Sequence, residues 1–108
     1  MMGKKKKIKN INELEKHISE IVDKKEKLEK LIELGKFYFL NEKYNDAITK
    51  FDQALKLNDK NPEIYYNLGV IYESKNDIEK AKKMYQKALE LNPHYVLARQ
   101  HLEKLIGV

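Results

Sequence analysis

The sequence predicts an all-α protein built as a stack of antiparallel helix hairpins. Three observations carry this prediction: apolar residues recur at the helical period, the chain repeats itself after 34 residues, and turn-forming residues are scarce. The 108 residues include four glycines and two prolines, which disfavours a β fold with many turns. No cysteine is present, and this excludes disulfide scaffolds, thiolate metal sites and cysteine nucleophiles.

The net charge of +5 comes from the first nine residues. These residues contain five lysines, and no acidic residue precedes Glu13. Removing the five lysines from the 22 basic residues leaves 17, which equals the 17 acidic residues. We therefore predict that residues 1–10 form a disordered basic tail and that residues 11–108 form one helical domain without a strongly basic face.

The first predicted element is an amphipathic helix over residues 12–23. Asn12 followed by Glu15 has the spacing of a capping box. The apolar stripe of this helix consists of Leu14, Ile18, Ile21 and Val22. The polar segment 23–26 is interpreted as a turn. Because it holds neither glycine nor proline, an unbroken helix over residues 12–40 stays open as an alternative.

Two helix–turn–helix units follow, over residues 28–61 and 62–95. In each unit, two apolar series at helical spacing flank a polar break. The breaks are the triplets 41–43 and 75–77. Asn61 and Pro62 have the residue types of an N-cap and a first-turn proline, which predicts that a helix begins there.

Gly35 and Gly69 occupy equivalent positions inside predicted helices. A glycine inside a helix costs about 1 kcal/mol relative to alanine. Its presence in both units therefore predicts a close approach between helices, with Ala47 and Ala81 as the expected small partners.

A final amphipathic helix is predicted over residues 95–106. Its apolar stripe consists of Ala98, Leu102, Leu105 and Ile106. The other face is mostly polar, as in the end helix that shields a repeat stack from solvent. With this helix the chain has six, which is the three-hairpin size that such stacks need.

The two units resemble the tetratricopeptide repeat, a helical hairpin with a 34-residue period. The second unit matches the pattern of that family at Tyr65, Leu68, Gly69, Tyr72, Ala81, Tyr85, Ala88 and Pro93. The first unit matches at Leu34, Gly35, Tyr38, Ala47, Phe51 and Ala54. It departs from the pattern at Leu31 and Asp59, where the family has an aromatic residue and a proline. The resemblance covers 68 of 108 residues and implies a TPR-like α-solenoid with a capping helix at each end.

The resemblance also implies a binding site. In this family the first helices of successive hairpins line a concave groove that commonly holds a peptide or a partner helix. The positions carried over to this chain are Ile32, Lys36, Phe39, Glu63, Tyr66, Asn67, Val70, Glu73, Gln100 and His101. Repeat packing does not explain the apolar members of this set, and a surplus apolar surface commonly marks an interaction site.

Roles in the groove follow from residue type. Asn67 is expected to hydrogen-bond the partner's backbone, while Lys36, Glu63 and Glu73 select its charge. Members of the family that bind chaperone tails use a carboxylate clamp, of which only Asn67 is present here. The other clamp positions hold Ile32, Lys36, Leu97 and His101, so a chaperone-tail receptor is not expected.

The sequence has no pattern for catalysis, a cofactor or a metal site. Ser19, Ser74 and Thr49 are the only serines and threonine, none in a nucleophile motif, and no glycine-rich phosphate loop exists. His94 and His101 are seven residues apart, too far for an i, i+4 metal pair, and His17 is remote in sequence. We therefore expect a non-enzymatic protein that binds an unidentified protein or peptide.

Two alternative functions stay open. Copies of the chain can self-associate as a scaffold, either by stacking end to end through Leu105, Ile106 and Val108 or by sharing the groove, so both a monomer and a homodimer are compatible with the sequence. The lysine tail can hold an anionic polymer or membrane surface weakly. Nucleic acid is disfavoured because the tail has no aromatic residue to stack on bases. No apolar run reaches about 18 residues, so membrane insertion is not expected and a cytoplasmic location is the default.

Deletion of residues 1–9 tests the lysine-tail hypothesis. If partner association runs through Lys4 to Lys9, the deletion abolishes it. We expect instead that the shortened chain keeps its affinity at both about 50 and about 500 mM NaCl, because groove contacts are screened little by salt. Isothermal titration calorimetry measures the affinity of the shortened chain for its partner at the two salt concentrations.

Overall fold

The computed structural model describes residues 10–107, which form six α-helices and no β-strand. The helices are α1 (Ile11–Glu20), α2 (Lys24–Leu40), α3 (Tyr44–Leu57), α4 (Pro62–Ser74), α5 (Ile78–Leu91) and α6 (Val96–Ile106). The all-α prediction is confirmed. The disordered tail was predicted for residues that, apart from Asn10, lie outside the described part of the chain.

The helices pack as a linear stack of hairpins. The tightest pairs are α2 with α3 and α4 with α5, and α3 then packs on α4, α5 on α6 and α1 on α2. The resulting body measures 55 × 26 × 21 Å. Neighbours in sequence are thus also neighbours in space, and helix packing is most extensive within each hairpin.

The turns within the two hairpins are equivalent. Glu42 and Asn76 adopt left-handed backbone conformations, with φ of 58° and 63°. In each turn, the next backbone N–H donates to a carbonyl in the last turn of the preceding helix: Lys43 to Tyr38, and Asp77 to Tyr72. These bonds satisfy carbonyls that the end of a helix leaves unpaired. The polar breaks predicted at 41–43 and 75–77 are confirmed.

Helix α1 begins and ends earlier than predicted. Its N-cap is Asn10, whose side chain accepts a hydrogen bond from the Glu13 N–H at 2.8 Å, so the assignment of the cap to Asn12 is wrong. The helix stops at Glu20, and Val22 is 96% exposed instead of joining the apolar stripe.

Residues 21–23 separate α1 from α2. The Asp23 side chain accepts a hydrogen bond from the Glu26 N–H at 3.0 Å and so caps the start of α2. This cap supplies the break that glycine or proline would otherwise provide. An unbroken helix over residues 12–40 is therefore wrong. At the start of α4, Asn61 caps the helix and Pro62 is its first residue, as predicted.

The two mid-helix glycines each face an aromatic ring. A Cβ atom added to Gly35 would lie 2.6 Å from the Phe51 ring, and one added to Gly69 would lie 2.6 Å from the Tyr85 ring. Both rings are fully buried. The close approach was predicted correctly, but its partners were not: aromatic rings, rather than Ala47 and Ala81, are nearest to the glycines.

Helix α6 covers the end of the second hairpin. Ala98 is fully buried, and Leu102 and Leu105 pack against the cluster that contains Tyr85 and Ala88. Ile106 is half-exposed, so its assignment to the apolar stripe is wrong. Across residues 10–107, no helix has both the length and the apolar content needed to cross a bilayer.

The glycine contacts predict that Gly69→Ala destabilises the protein, although alanine is the better helix former. The gain of about 1 kcal/mol in helix propensity is smaller than the overpacking of a methyl group against the Tyr85 ring. We expect a net loss of up to about 2 kcal/mol in the free energy of unfolding, measured by urea titration with circular dichroism. When Tyr85→Leu removes the ring, the added methyl group should cost less, and a fully additive double mutant would contradict this explanation.

Candidate functional site

The first helices of the hairpins, α2 and α4, and the capping helix α6 form one face joined by polar contacts. We call this face the groove, and its residues are the ten positions carried over from the family in the sequence analysis. Lys36 Nζ on α2 lies 2.7 Å from Glu63 Oε2 on α4. Glu73, near the other end of α4, contacts His101 and Lys104 on α6 at 3.0 and 3.1 Å. These polar contacts tie three helices that are distant in sequence into one surface.

Glu73 is the centre of a polar cluster between α4, α5 and α6. Its Oε1 accepts a hydrogen bond from the Tyr85 hydroxyl at 2.7 Å and lies 3.0 Å from His101 Nδ1. The Tyr85 hydroxyl and His101 Nδ1 are 3.1 Å apart. The Glu73 side chain is only 19% exposed, so its charge depends on these partners.

The cluster shifts the ionisation of its members. Burial would raise the pKa of Glu73, but hydrogen bonds from His101, Tyr85 and Lys104 outweigh it, so its pKa lies below the ordinary value of 4.5. Burial raises the pKa of the Tyr85 hydroxyl, as does its hydrogen bond to the Glu73 carboxylate. The carboxylate therefore stays charged and the phenol stays protonated at neutral pH.

Aromatic rings line the part of the groove next to this cluster. Tyr66 stacks on Tyr95 with ring centroids 5.2 Å apart and meets the His101 ring edge-on at 5.7 Å. Its ring is also 5.9 Å from Tyr85. Such ring pairs favour defined geometries. Tyr66 is thus held in place and half-buried, with Val70 packed in the same cluster.

The predicted apolar surface is only partly exposed. Ile32 is 8% exposed and belongs to the core cluster that also contains Ile18 and Ile64, so its assignment to an open surface is wrong. Phe39 is half-buried against Tyr44, with ring centroids 5.7 Å apart.

Two exposed leucines flank the half-buried groove residues. Leu40, at the end of α2, is 78% exposed, and Leu97, at the start of α6, is 50% exposed. Leu97 occupies one of the clamp positions named in the sequence analysis, and Leu40 directly follows the predicted groove residue Phe39.

The remaining polar positions differ in their partners. Asn67 Nδ2 donates to the Glu63 carbonyl at 2.9 Å, and its Oδ1 has no hydrogen-bond partner among residues 10–107. Gln100 is exposed. Lys36 and Glu63 pair with each other, and Glu73 pairs with His101 and Lys104.

Sequence reasoning missed the hydroxyl of Tyr85, which we had treated only as a repeat packing position. A comparison of the two hairpin sequences could have revealed the role of this hydroxyl. The positions of Tyr85 and Glu73 are held in the first unit by Phe51 and Phe39. A phenol and a carboxylate therefore replace two phenyl rings together, and in the structure these two groups are hydrogen-bonded.

The histidines do not form a metal centre in the described region. His94 is exposed, and His101 pairs with Glu73. Within residues 10–107, no three His, Cys, Asp or Glu side chains converge as metal ligands would.

Comparison with known protein families agrees with the repeats seen in the sequence and in the structure. A tetratricopeptide repeat model matches residues 62–95, and a TPR repeat model matches residues 35–76. The chain belongs to the tetratricopeptide repeat family. The match over residues 62–95 coincides with the second TPR unit, and the matches together span both glycine–aromatic contacts.

A full-length TPR relative is much longer than this chain. The mitochondrial import receptor subunit TOM70 of Saccharomyces cerevisiae is 44% identical over 61 residues, which are 56% of this chain and 10% of TOM70. The chain thus spans about a tenth of the length of that relative.

Two solved structures share the TPR fold. The crystal structure of MamA superposes with a TM-score of 0.78 and 26% identity, covering 87% of this chain and 53% of that one. The first TPR of Spaghetti (RPAP3), bound to an HSP90 peptide, gives a TM-score of 0.70 and 26% identity, covering 74% of this chain and 64% of that one.

The lowered pKa of Glu73 predicts that the folded protein loses stability at acidic pH. The carboxylate stabilises the fold fully above its unfolded pKa, and this contribution is lost as pH falls through the lower folded pKa. At pH 7, Glu73→Gln should lower the free energy of unfolding by about 1–3 kcal/mol, and the difference should shrink markedly at about pH 3. Urea titrations at the two pH values measure it.

Glu79→Gln is the matched control for that experiment. Glu79 is 80% exposed on α5, and its ion-pair partner within residues 10–107 is Lys82, at 3.3 Å. Its substitution should change stability by less than about 0.5 kcal/mol at either pH. An equal effect of the two substitutions would argue against a special role for the Glu73 cluster.

Proposed function

We propose that the chain is a non-catalytic protein-binding TPR module whose groove holds an extended or helical segment of a partner protein. The observation that carries the proposal is the continuity of the groove from α2 through α4 to α6. Lys36 bonds to Glu63 at one junction, and Glu73 bonds to His101 and Lys104 at the other. A segment lying across them contacts three helices at once.

The groove offers a partner both apolar anchors and a backbone acceptor. Phe39, Tyr66 and Val70 are half-buried, so their remaining exposed surface is held in fixed orientations. Leu40 and Leu97 extend the apolar surface at either end. The Asn67 side chain donates through Nδ2 to the Glu63 carbonyl, which leaves its Oδ1 as the group that accepts a backbone N–H from the bound segment.

The groove charges are interpreted as organising elements. Each cross-helix contact already pairs a lysine or histidine with a glutamate, so binding does not require these side chains to find new positions. A site that is ordered before binding loses less conformational entropy on association. Selection of the partner then rests mainly on shape and on the apolar anchors.

Relatives support a protein partner without naming it. One similar protein is called a mitochondrial import receptor subunit, and one similar TPR structure holds an HSP90 peptide. Because Ile32 and Leu97 occupy clamp positions here, we do not carry the HSP90 peptide over to this chain. The cytoplasmic location expected from the sequence stays a prediction.

Self-association is the alternative occupant of the groove. Light scattering after size exclusion, at several concentrations, distinguishes the two functions. We expect a monomer of 12.8 kDa, with the groove open to a partner. A stable dimer that dissociates on Leu97→Asp would instead assign the groove to a second copy.

Tyr66→Ala is expected to weaken partner binding by about 1–3 kcal/mol, because truncation of a central aromatic anchor removes packed contact area. A photo-crosslinking residue at Gln100 identifies the partner, and one at Gln86 on the outer side of α5 serves as the negative position. Isothermal titration then measures the affinity.

Phe37→Ala is the matched aromatic control, because Phe37 lies on α2, is half-exposed and is not a groove residue. It should leave the affinity unchanged. Folding of both variants is checked by circular dichroism. Equal crosslinking from Gln100 and Gln86 would refute this assignment of the site. So would an unaltered affinity of folded Tyr66→Ala.

A further inference from the structure

A second concave site lies between α1, α2 and α3, and we call it the α1 cleft. It is a cavity of about 480 Å³, within the range of ligand sites in proteins. Its apolar lining comes from Ile18 on α1, Leu31 on α2 and Leu57 on α3. None of the residues assigned to the groove lines it.

The short length of α1 explains why the cleft exists. Helix α1 has 10 residues, whereas α3 and α5, the second helices of the hairpins, have 14 each. In the 34-residue register α1 falls where a second helix would lie, but it stops at Glu20. The beginning of α2 and the end of α3 therefore lack the cover that another helical turn would give.

The rim of the α1 cleft is basic. Lys27, Lys50 and Lys56 line it, together with a single carboxylate, Glu15. Glu15 is already engaged, since it lies 2.8 Å from Lys50 Nζ and accepts a hydrogen bond from the Tyr38 hydroxyl at 2.7 Å.

Two of the rim lysines form no close ion pair within residues 10–107. In the part of the chain that the structure describes, neither Lys27 nor Lys56 lies within 4.0 Å of a carboxylate. Asp52, one turn before Lys56, interacts with it at longer range and does not line the cleft.

The basic rim is not a property of the repeat. The positions equivalent to Lys50 and Lys56 in α5 are Met84 and Glu90. The second hairpin therefore has the same fold without these positive charges. The cationic rim belongs to the α1 cleft and is not repeated at the equivalent positions of the second hairpin.

We propose that the α1 cleft binds an acidic segment of a partner protein, in which carboxylates flank one aliphatic side chain. The aliphatic side chain enters between Ile18, Leu31 and Leu57, where its apolar surface leaves water. The flanking carboxylates pair with Lys27 and Lys56. Residues 1–9 of this chain do not have the chemistry of such an occupant, because they contain five lysines and no carboxylate side chain.

A blocked pentapeptide with leucine between two pairs of glutamates is the probe. Titrated into the full ¹⁵N-labelled chain, it should shift the amide signals of Ser19 and Gln53, which line the cleft. We expect a dissociation constant on the order of 1 mM, weakening as salt is raised. The same peptide with lysines for glutamates, or with alanine for leucine, should bind at least about fivefold more weakly.

Two sets of substitutions test the two parts of the cleft. Lys27→Gln with Lys56→Gln should weaken binding about fivefold. Lys83→Gln with Lys87→Gln, on exposed positions of α5, makes the same change in net charge and should have no effect. Ser19→Leu fills the mouth of the cleft without altering charge, suits a helix and should abolish the shifts.

The outcomes separate this site from the groove. Shifts confined to the cleft and lost in Ser19→Leu, but kept in Tyr66→Ala, support the proposal. Absent shifts, equal binding of the lysine peptide, or shifts that map to the groove overturn it. Cleft signals that move with protein concentration alone would assign the site to a second copy and overturn it as well.

Discussion

The contact of an aromatic ring with a helix backbone, made possible by glycine, is the constraint on which the rest of the structure depends. Phe51 lies against Gly35, and Tyr85 lies against Gly69, both at distances that no Cβ atom would allow. This fixes how closely the two helices of each hairpin approach. The interhelix spacing then sets the stacking of the next hairpin, because each apolar surface is filled to near-crystalline density.

The position of one ring also organises the groove. Because Tyr85 is held against Gly69, its hydroxyl reaches Glu73, which in turn contacts His101 and Lys104 on α6. The core of the second hairpin is thereby connected to the surface on which we place the partner. In the first hairpin the corresponding pair, Phe51 and Phe39, is apolar, so the two halves of the groove differ in polarity.

Periodicity and the 34-residue repeat were sufficient to predict six helices, the turns inside the two hairpins and a close approach at each mid-helix glycine, although not the aromatic partner of that approach. They were insufficient where a neighbouring element decides burial. Ile32 has the register of a groove residue, yet it is buried in a cluster with Ile18, which comes from another helix. Similarly, Asn10 and Asn12 both suit a cap, and only the folded backbone selects Asn10.

Helix α6 shows how the stack is closed. In the repeat register, Glu103 stands where Gly35 and Gly69 stand in the first helices of the two units, and it is exposed. A second helix of the usual kind could not seat its aromatic ring there, because the glutamate side chain fills the space that glycine leaves open. A following helix could therefore not repeat at α6 the ring-to-glycine contact that each of the two hairpins makes.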